Sequence, residues 1–90
     1  MTKPLYFSII IPTLNEEKYL PKLLTCLHHQ TMHDFEVIIV DAHSTDRTIV
    51  KADAFQSKLP YLHIITSPKA NVSYQRNLGA KTAKGKVLLF

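Results

Sequence analysis

Two short clusters hold most of the side chains in this sequence that could do chemistry. Pro12-Thr13-Leu14-Asn15-Glu16-Glu17 follows directly on the apolar run Phe7-Ser8-Ile9-Ile10-Ile11. Asp41-Ala42-His43-Ser44-Thr45-Asp46 follows Val37-Ile38-Ile39-Val40. Asp41 is placed to accept hydrogen bonds from a base or a ribose. A plainer role fits the same residues: a strand end and a turn, with Asn15, Ser44 or Thr45 as helix caps and the acids near a helix N-terminus. Continuous β-branched runs suit parallel strands covered on both faces. In open α/β sheets, ligands bind just outside the carboxyl ends of such strands. If the two strands pair, the clusters are neighbours, and a shared pocket becomes the better reading.

The other reactive side chains narrow the field. Arg76 carries a planar, permanently charged fork suited to carbonyl or phosphate oxygens, although alone it reads as a solvated helix arginine. Cys26 is the single cysteine, so no internal disulfide can form. Beside Leu23, Leu24 and Leu27 it is expected as a small core residue, in a reducing compartment. His28 and His29 are consecutive and diverge on a helix, while His33, His43 and His63 lack ligand spacing, so no metal site is expected from histidine. No Gly-rich loop of the Walker or dinucleotide type is present, which counts against a P-loop ATPase, a dehydrogenase or a nucleotidyltransferase. The formal charge is +4, with lysines spread along the chain and no basic block alternating with aromatics. Nucleic acid is therefore not the expected partner, and a diphosphate-bearing small molecule suits the modest positive excess.

The elements that must position these groups alternate. A first strand is expected over residues 6–11 and a first helix over Leu20, Leu23, Leu24 and Leu27, ending near His29 or Gln30. Pro21 conflicts with a helix begun at Asn15, and a short first turn that restarts near Pro21 resolves the conflict. A second strand covers 35–40, and a second helix reaches about Ser57 with Ile49, Ala52 and Phe55 inward. A third strand covers 62–66, and a third helix runs from a Ser73 cap to Lys84 with Gly85 as its stop. A fourth strand opens at Lys86. The fold class is α/β: a Rossmann-like βαβαβαβ half-domain with right-handed crossovers and parallel strand order 3-2-1-4. Ninety residues with 46% hydrophobic and 20% charged content fit one small domain or the front of a larger one. No run of about 20 apolar residues and no signal-peptide h-region is present, so a cytoplasmic location is expected, with membrane association of a longer protein left open.

The ordered blocks Ser8-Ile9-Ile10-Ile11-Pro12-Thr13-Leu14-Asn15-Glu16-Glu17, Gln30-Thr31, Phe35-Glu36-Val37-Ile38-Ile39-Val40-Asp41 with Ser44-Thr45-Asp46, and Ser73-Tyr74-Gln75-Arg76-Asn77-Leu78-Gly79-Ala80 resemble the start of family 2 glycosyltransferases. A fifth block, Ala83-Lys84-Gly85-Lys86-Val87-Leu88-Leu89-Phe90, matches too, and the set covers nearly the whole chain. The resemblance implies an inverting enzyme with the A-type glycosyltransferase fold that uses a nucleotide-diphosphate sugar of the UDP or GDP type. It implies that Pro12, Thr13 and Glu16 line the nucleoside pocket, that Asp41 hydrogen-bonds the base, that Arg76 faces the nucleotide, and that Asn77 braces the loop. The acceptor is open: a polysaccharide, a lipid-linked molecule or a protein.

Two departures from the family pattern stand out. Ala42 and His43 occupy the places of a second Asp and a Gly, and His tolerates positive φ better than most residues though less well than Gly. The turn is expected to survive while a secondary ribose or phosphate contact is lost. In the family, the strand beginning at Lys86 leads into an Asp-x-Asp element that holds Mg²⁺ or Mn²⁺ on the diphosphate, with the catalytic base further on. Residues 1–90 stop before it, so they are expected to supply the nucleoside half of the donor site, to hold no metal or catalytic residue, and to be inactive alone. The unfinished strand edge invites self-association. The competing reading is a non-catalytic nucleotide-binding or interaction module.

Overall fold

The computed structural model describes residues 6–30, 34–85 and 87–89. Thr31, His33, Lys86 and Phe90, all used in the sequence reading, lie outside them. The elements are β1 (Phe7–Thr13), α1 (Leu20–His28), β2 (Phe35–Asp41), α2 (Thr48–Asp53), β3 (Leu62–Thr66), α3 (Val72–Thr82) and β4 (Val87–Leu89). The strands form one sheet in the order β3-β2-β1-β4, and every pairing is parallel. That is the expected order. No helix among the described residues is long and apolar enough to cross a membrane.

Each residue of β2 is buried, as its Val/Ile run requires of a central strand covered on both faces. Alternation along β2 divides the core in two. Val37 and Ile39 pack with Leu20 and Leu24 of α1 and Ala52 of α2. Ile38 and Val40 pack with Ile10 of β1, Leu78 and Ala80 of α3, and Ile65 of β3. Thus α1 and α2 cover one face and α3 the other. Gly79 allows the close approach of α3: an added Cβ would lie 2.5 Å from Ile10 Cγ2 and 3.1 Å from Val40 Cγ2.

Several element ends differ from the sequence expectation. Helix α1 starts at Leu20 with Pro21 in its first turn, so the expected restart occurs. Asn15 does not cap it; the N-cap is Tyr19, with no side-chain bond. Neither Ser44 nor Thr45 caps α2, which spans only Thr48–Asp53, and Asp46 Oδ1 accepts the Thr48 amide instead, at 2.9 Å. Ser73 lies inside α3, whose cap is Asn71, with Oδ1 accepting the Tyr74 amide at 2.9 Å. Gly85 is no left-handed stop, since no glycine has positive φ. It lacks a side chain because a Cβ there would meet Ser8 Oγ at 2.5 Å and the Phe7 carbonyl carbon at 2.6 Å. Cys26 is exposed, not buried. Two residues from Leu24 is about 200° around a helix, which turns Cys26 away from the core.

Candidate nucleotide-binding site

Both strands run further than their apolar segments. Thr13 and Asp41 are the last residues of β1 and β2 and are register partners. Thr13 Oγ1 donates to Asp41 Oδ1 at 2.6 Å, and the Ala42 amide donates to the Thr13 carbonyl at 3.0 Å. Asp41 is 3% exposed. Its Oδ1 also accepts from Ser44 Oγ at 2.6 Å, and its Oδ2 from the Ser44 amide at 2.8 Å. Three donors therefore hold one buried carboxylate, as burial of such a group demands.

The loops beyond are cross-linked. Asn15 stands at φ 54° and His43 at φ 56°, both among the residue types that enter the left-handed region most readily. The Asn15 amide donates to Ser44 Oγ at 2.8 Å, and Asn15 Oδ1 accepts the amides of Thr45 at 2.8 Å and Asp46 at 3.3 Å. The Glu16 amide donates to Thr48 Oγ1 at 2.8 Å, and the Glu17 amide to Asp46 Oδ2 at 3.3 Å. Partial burial raises the Asp46 carboxyl, but the Thr48 hydroxyl and amide and the Glu17 amide outweigh it and hold the carboxyl below its ordinary value. Lys51 Nζ lies 3.6 Å from Glu17 Oε2. His43 does adopt the positive φ expected where the resemblance places a glycine, and the turn survives.

A third element closes the arrangement. Gln75 is buried on α3, and its Nε2 donates to the carbonyls of Thr13 at 3.1 Å and Val40 at 2.8 Å. One side-chain amide thereby ties the first half of α3 to the carboxyl ends of both strands. Arg76 follows Gln75 and is exposed. Pro12, Thr13 and Glu16 line a cleft of ≈ 160 Å³ together with Ile11, Tyr19, Leu20 and Leu23. Pro12, Thr13, Glu16 and Asp41 thus lie at one end of the sheet, but Asp41 and Arg76 are not among the residues lining this cleft, and Arg76 stands on α3, which covers the other face. Asn77 lines a separate surface cleft with Tyr74, Leu78 and Lys81.

Sequence reading missed the tasks of Asn15, Ser44, Thr48 and Gln75. The first two suit helix caps by type, a use their side chains equally allow. For Gln75 a signal existed: it precedes Gly79 by four positions, on the stripe that faces the sheet. Among the described residues no three His, Cys, Asp or Glu side chains group as a metal site, and the Asp41 carboxylate is held by hydroxyl and amide donors.

The family model for glycosyl transferase family 2 matches residues 8–90. The chain belongs to that family. An uncharacterized glycosyltransferase of Haemophilus influenzae is 40% identical over 83 residues, which is 92% of this chain and 27% of that protein. The poly(ribitol-phosphate) β-N-acetylglucosaminyltransferase TarS of Staphylococcus aureus is 36% identical over 87 residues, 93% of this chain and 15% of that protein. The solved structure of TarS 1-349 matches with a TM-score of 0.87 at 35% identity, covering 96% of this chain and 27% of that one. TarS has also been solved with UDP and with UDP-GlcNAc. A Pyrobaculum calidifontis mannosyltransferase, solved with GDP-Man and Mn²⁺, matches at a TM-score of 0.81 and 22% identity, covering 97% of this chain and 27% of that one; it shares the fold. This family 2 chain is the β3-β2-β1-β4 part of an A-type glycosyltransferase fold. It spans about a quarter or less of the length of these relatives.

Proposed function

We propose that residues 1–90 are the N-terminal nucleotide-binding portion of a glycosyltransferase catalytic domain that uses a UDP- or GDP-sugar. The acceptor hydroxyl oxygen attacks the anomeric carbon, the bond from that carbon to the diphosphate oxygen breaks, and the configuration inverts. The nucleoside diphosphate leaves, and the hydroxyl proton passes to a base. This chain contributes the nucleoside side. Pro12, Thr13 and Glu16 form its wall. Of about four acceptor positions on the Asp41 carboxylate, three are filled by Thr13 and Ser44, and the remaining one takes an N–H of the base. Arg76 supplies charge for carbonyl or phosphate oxygens. The full-length enzyme would hold Mg²⁺ or Mn²⁺ on the diphosphate, where carboxylate oxygens supply its ligands. The acceptor is a polysaccharide, a lipid-linked molecule or a protein, and the exposed edge of β4 is the surface for self-association.

The observation that carries this reading is the joined β1 and β2 loop pair beside the Pro12–Glu16 cleft, in a chain whose fold matches UDP-bound TarS over 96% of its length. Titration calorimetry with UDP and GDP, with and without Mg²⁺ or Mn²⁺, tests it. A uridine or guanosine diphosphate is expected to bind, and Asp41→Asn to weaken it about tenfold, the scale of one hydrogen bond to a charged group. If Asp41→Asn binds as well as the parent, the role of Asp41 fails. If neither nucleotide binds, the reading fails. Binding insensitive to metal in a whole protein that transfers no sugar favours the non-catalytic module.

A further inference from the structure

One buried charge lies at the opposite end of the sheet from the cleft. Glu36 is 1% exposed in a strand otherwise built of Val, Ile and Phe up to its terminal Asp41. Its Oε2 accepts from Ser8 Oγ at 2.6 Å and from the Lys84 amide at 2.5 Å. Ser8 Oγ in turn accepts the Gly85 amide at 2.8 Å, and His63 Nε2 lies 3.5 Å from Glu36 Oε1. The turn between α3 and β4 thus meets β1, β2 and β3 at a single carboxylate. Gly85 completes the fit, since a Cβ there would overlap Ser8 and Phe7.

Among the described residues, side-chain packing holds β4 only in part. Leu88 is 39% and Leu89 43% exposed, and the strand has three residues. A buried carboxylate is also a poor source of stability, because desolvation offsets most of what its partners return, and an apolar replacement of similar volume is often neutral or stabilising. Position is what such a group can supply.

We propose that Glu36 is a positioning residue that latches the Lys84 and Gly85 amides to the amino ends of β1 and β2 and so sets the register of β4 against β1. The register pairs Phe7 with Val87, Ser8 with Leu88 and Ile9 with Leu89. From Ile9 to Pro12 is three residues, roughly 10 Å of strand. The latch therefore decides the height at which β4 approaches the cleft, at the β1–β4 switch point of the sheet. The latch stands on geometry alone; only its consequence for a bound donor rests on the proposed function.

Amide exchange on the intact protein tests it. Glu36→Met keeps the volume and removes the acceptor. The melting temperature is expected to hold or rise, while Val87–Leu89 exchange roughly tenfold faster or more, the scale of one or two bonds to a charged acceptor, and β2 and β3 keep their protection. Glu36→Gln, with one acceptor oxygen left, recovers part of the protection. Gly85→Ala loosens β4 with Glu36 intact. Full β4 protection in Glu36→Met, or protection lost evenly over all four strands, would overturn the latch. UDP binds Glu36→Met as it binds the parent, since the β1 and β2 loops are untouched. Failure of UDP and GDP to bind the parent would sink the proposed function and leave the exchange result standing.

Discussion

Thr13, Ser44 and Asp41 have the chemistry of ligand contacts, yet most of their bonds go to one another. The same holds for Asn15 and Thr48, which spend their side chains on the neighbouring loop. Under the proposed function, what they would supply to a nucleotide is therefore mainly a fixed shape, with the spare acceptor of Asp41 as the exception. Hydroxyl and amide donors also leave a titration signature. For Glu36, burial raises the carboxyl, but Ser8, the Lys84 and Gly85 amides and His63 outweigh it and hold it below its ordinary value. Asp46 is lowered in the same way by Thr48 and Glu17. A carboxyl lowered by folding contributes stability above its unfolded value, near pH 4, and loses that contribution as pH falls through the folded value. Urea midpoints are expected to drop on acidification below about pH 4, and less steeply in Glu36→Gln. A midpoint equally pH-dependent in parent and variant would contradict the sign or the size assigned to Glu36.

Among the elements, α3 connects the core to the site. Gly79 brings it against Ile10 and Val40, and Gln75, one turn earlier, fastens it to the ends of β1 and β2. Gly79→Ala is expected to destabilise the protein by about 1–3 kcal/mol, the usual result of overpacking, even though alanine favours helices. Denaturant unfolding measures it, and a neutral or stabilised variant would show that the sheet yields. Element ends were the weakest part of the sequence reading, for a physical reason. Asn, Ser and Asp suit several competing bonds equally. Asn15 could cap α1 or bind the second loop, and only the nearness of Thr45 and Asp46 decides. Strand interiors were legible because continuous β-branched runs suit little else: β3 occurs at Leu62–Thr66 as expected, and β2 extends the expected segment only by Asp41.

At the scale of the whole molecule, the four parallel strands and three helices among the described residues carry the candidate site, while the relatives run several times longer. If residues 1–90 supply only the nucleoside side of the donor site, as proposed, they release no UDP from UDP-GlcNAc in the presence of Mn²⁺ and candidate acceptors. Turnover by the purified chain, free of any longer form, would refute this. Cys26 marks the limit of local pattern at this scale. Its leucine neighbours pointed inward, but which arc of α1 meets the sheet depends on where the strands lie, and Leu20 and Leu24 take that arc.

The order of apolar runs and polar breaks was enough by itself to determine an α/β sheet in the order 3-2-1-4, because alternating strands and helices with right-handed crossovers admit few arrangements. The same order placed Pro12, Thr13, Glu16 and Asp41 at one end of it. Tertiary structure alone decided which polar groups serve the protein and which remain for a ligand. Asp41, Asn15, Ser44 and Gln75 find partners 3 to 62 positions away. Hydrogen bonds of that reach depend on distances of a few tenths of an ångström, which no spacing along the chain encodes.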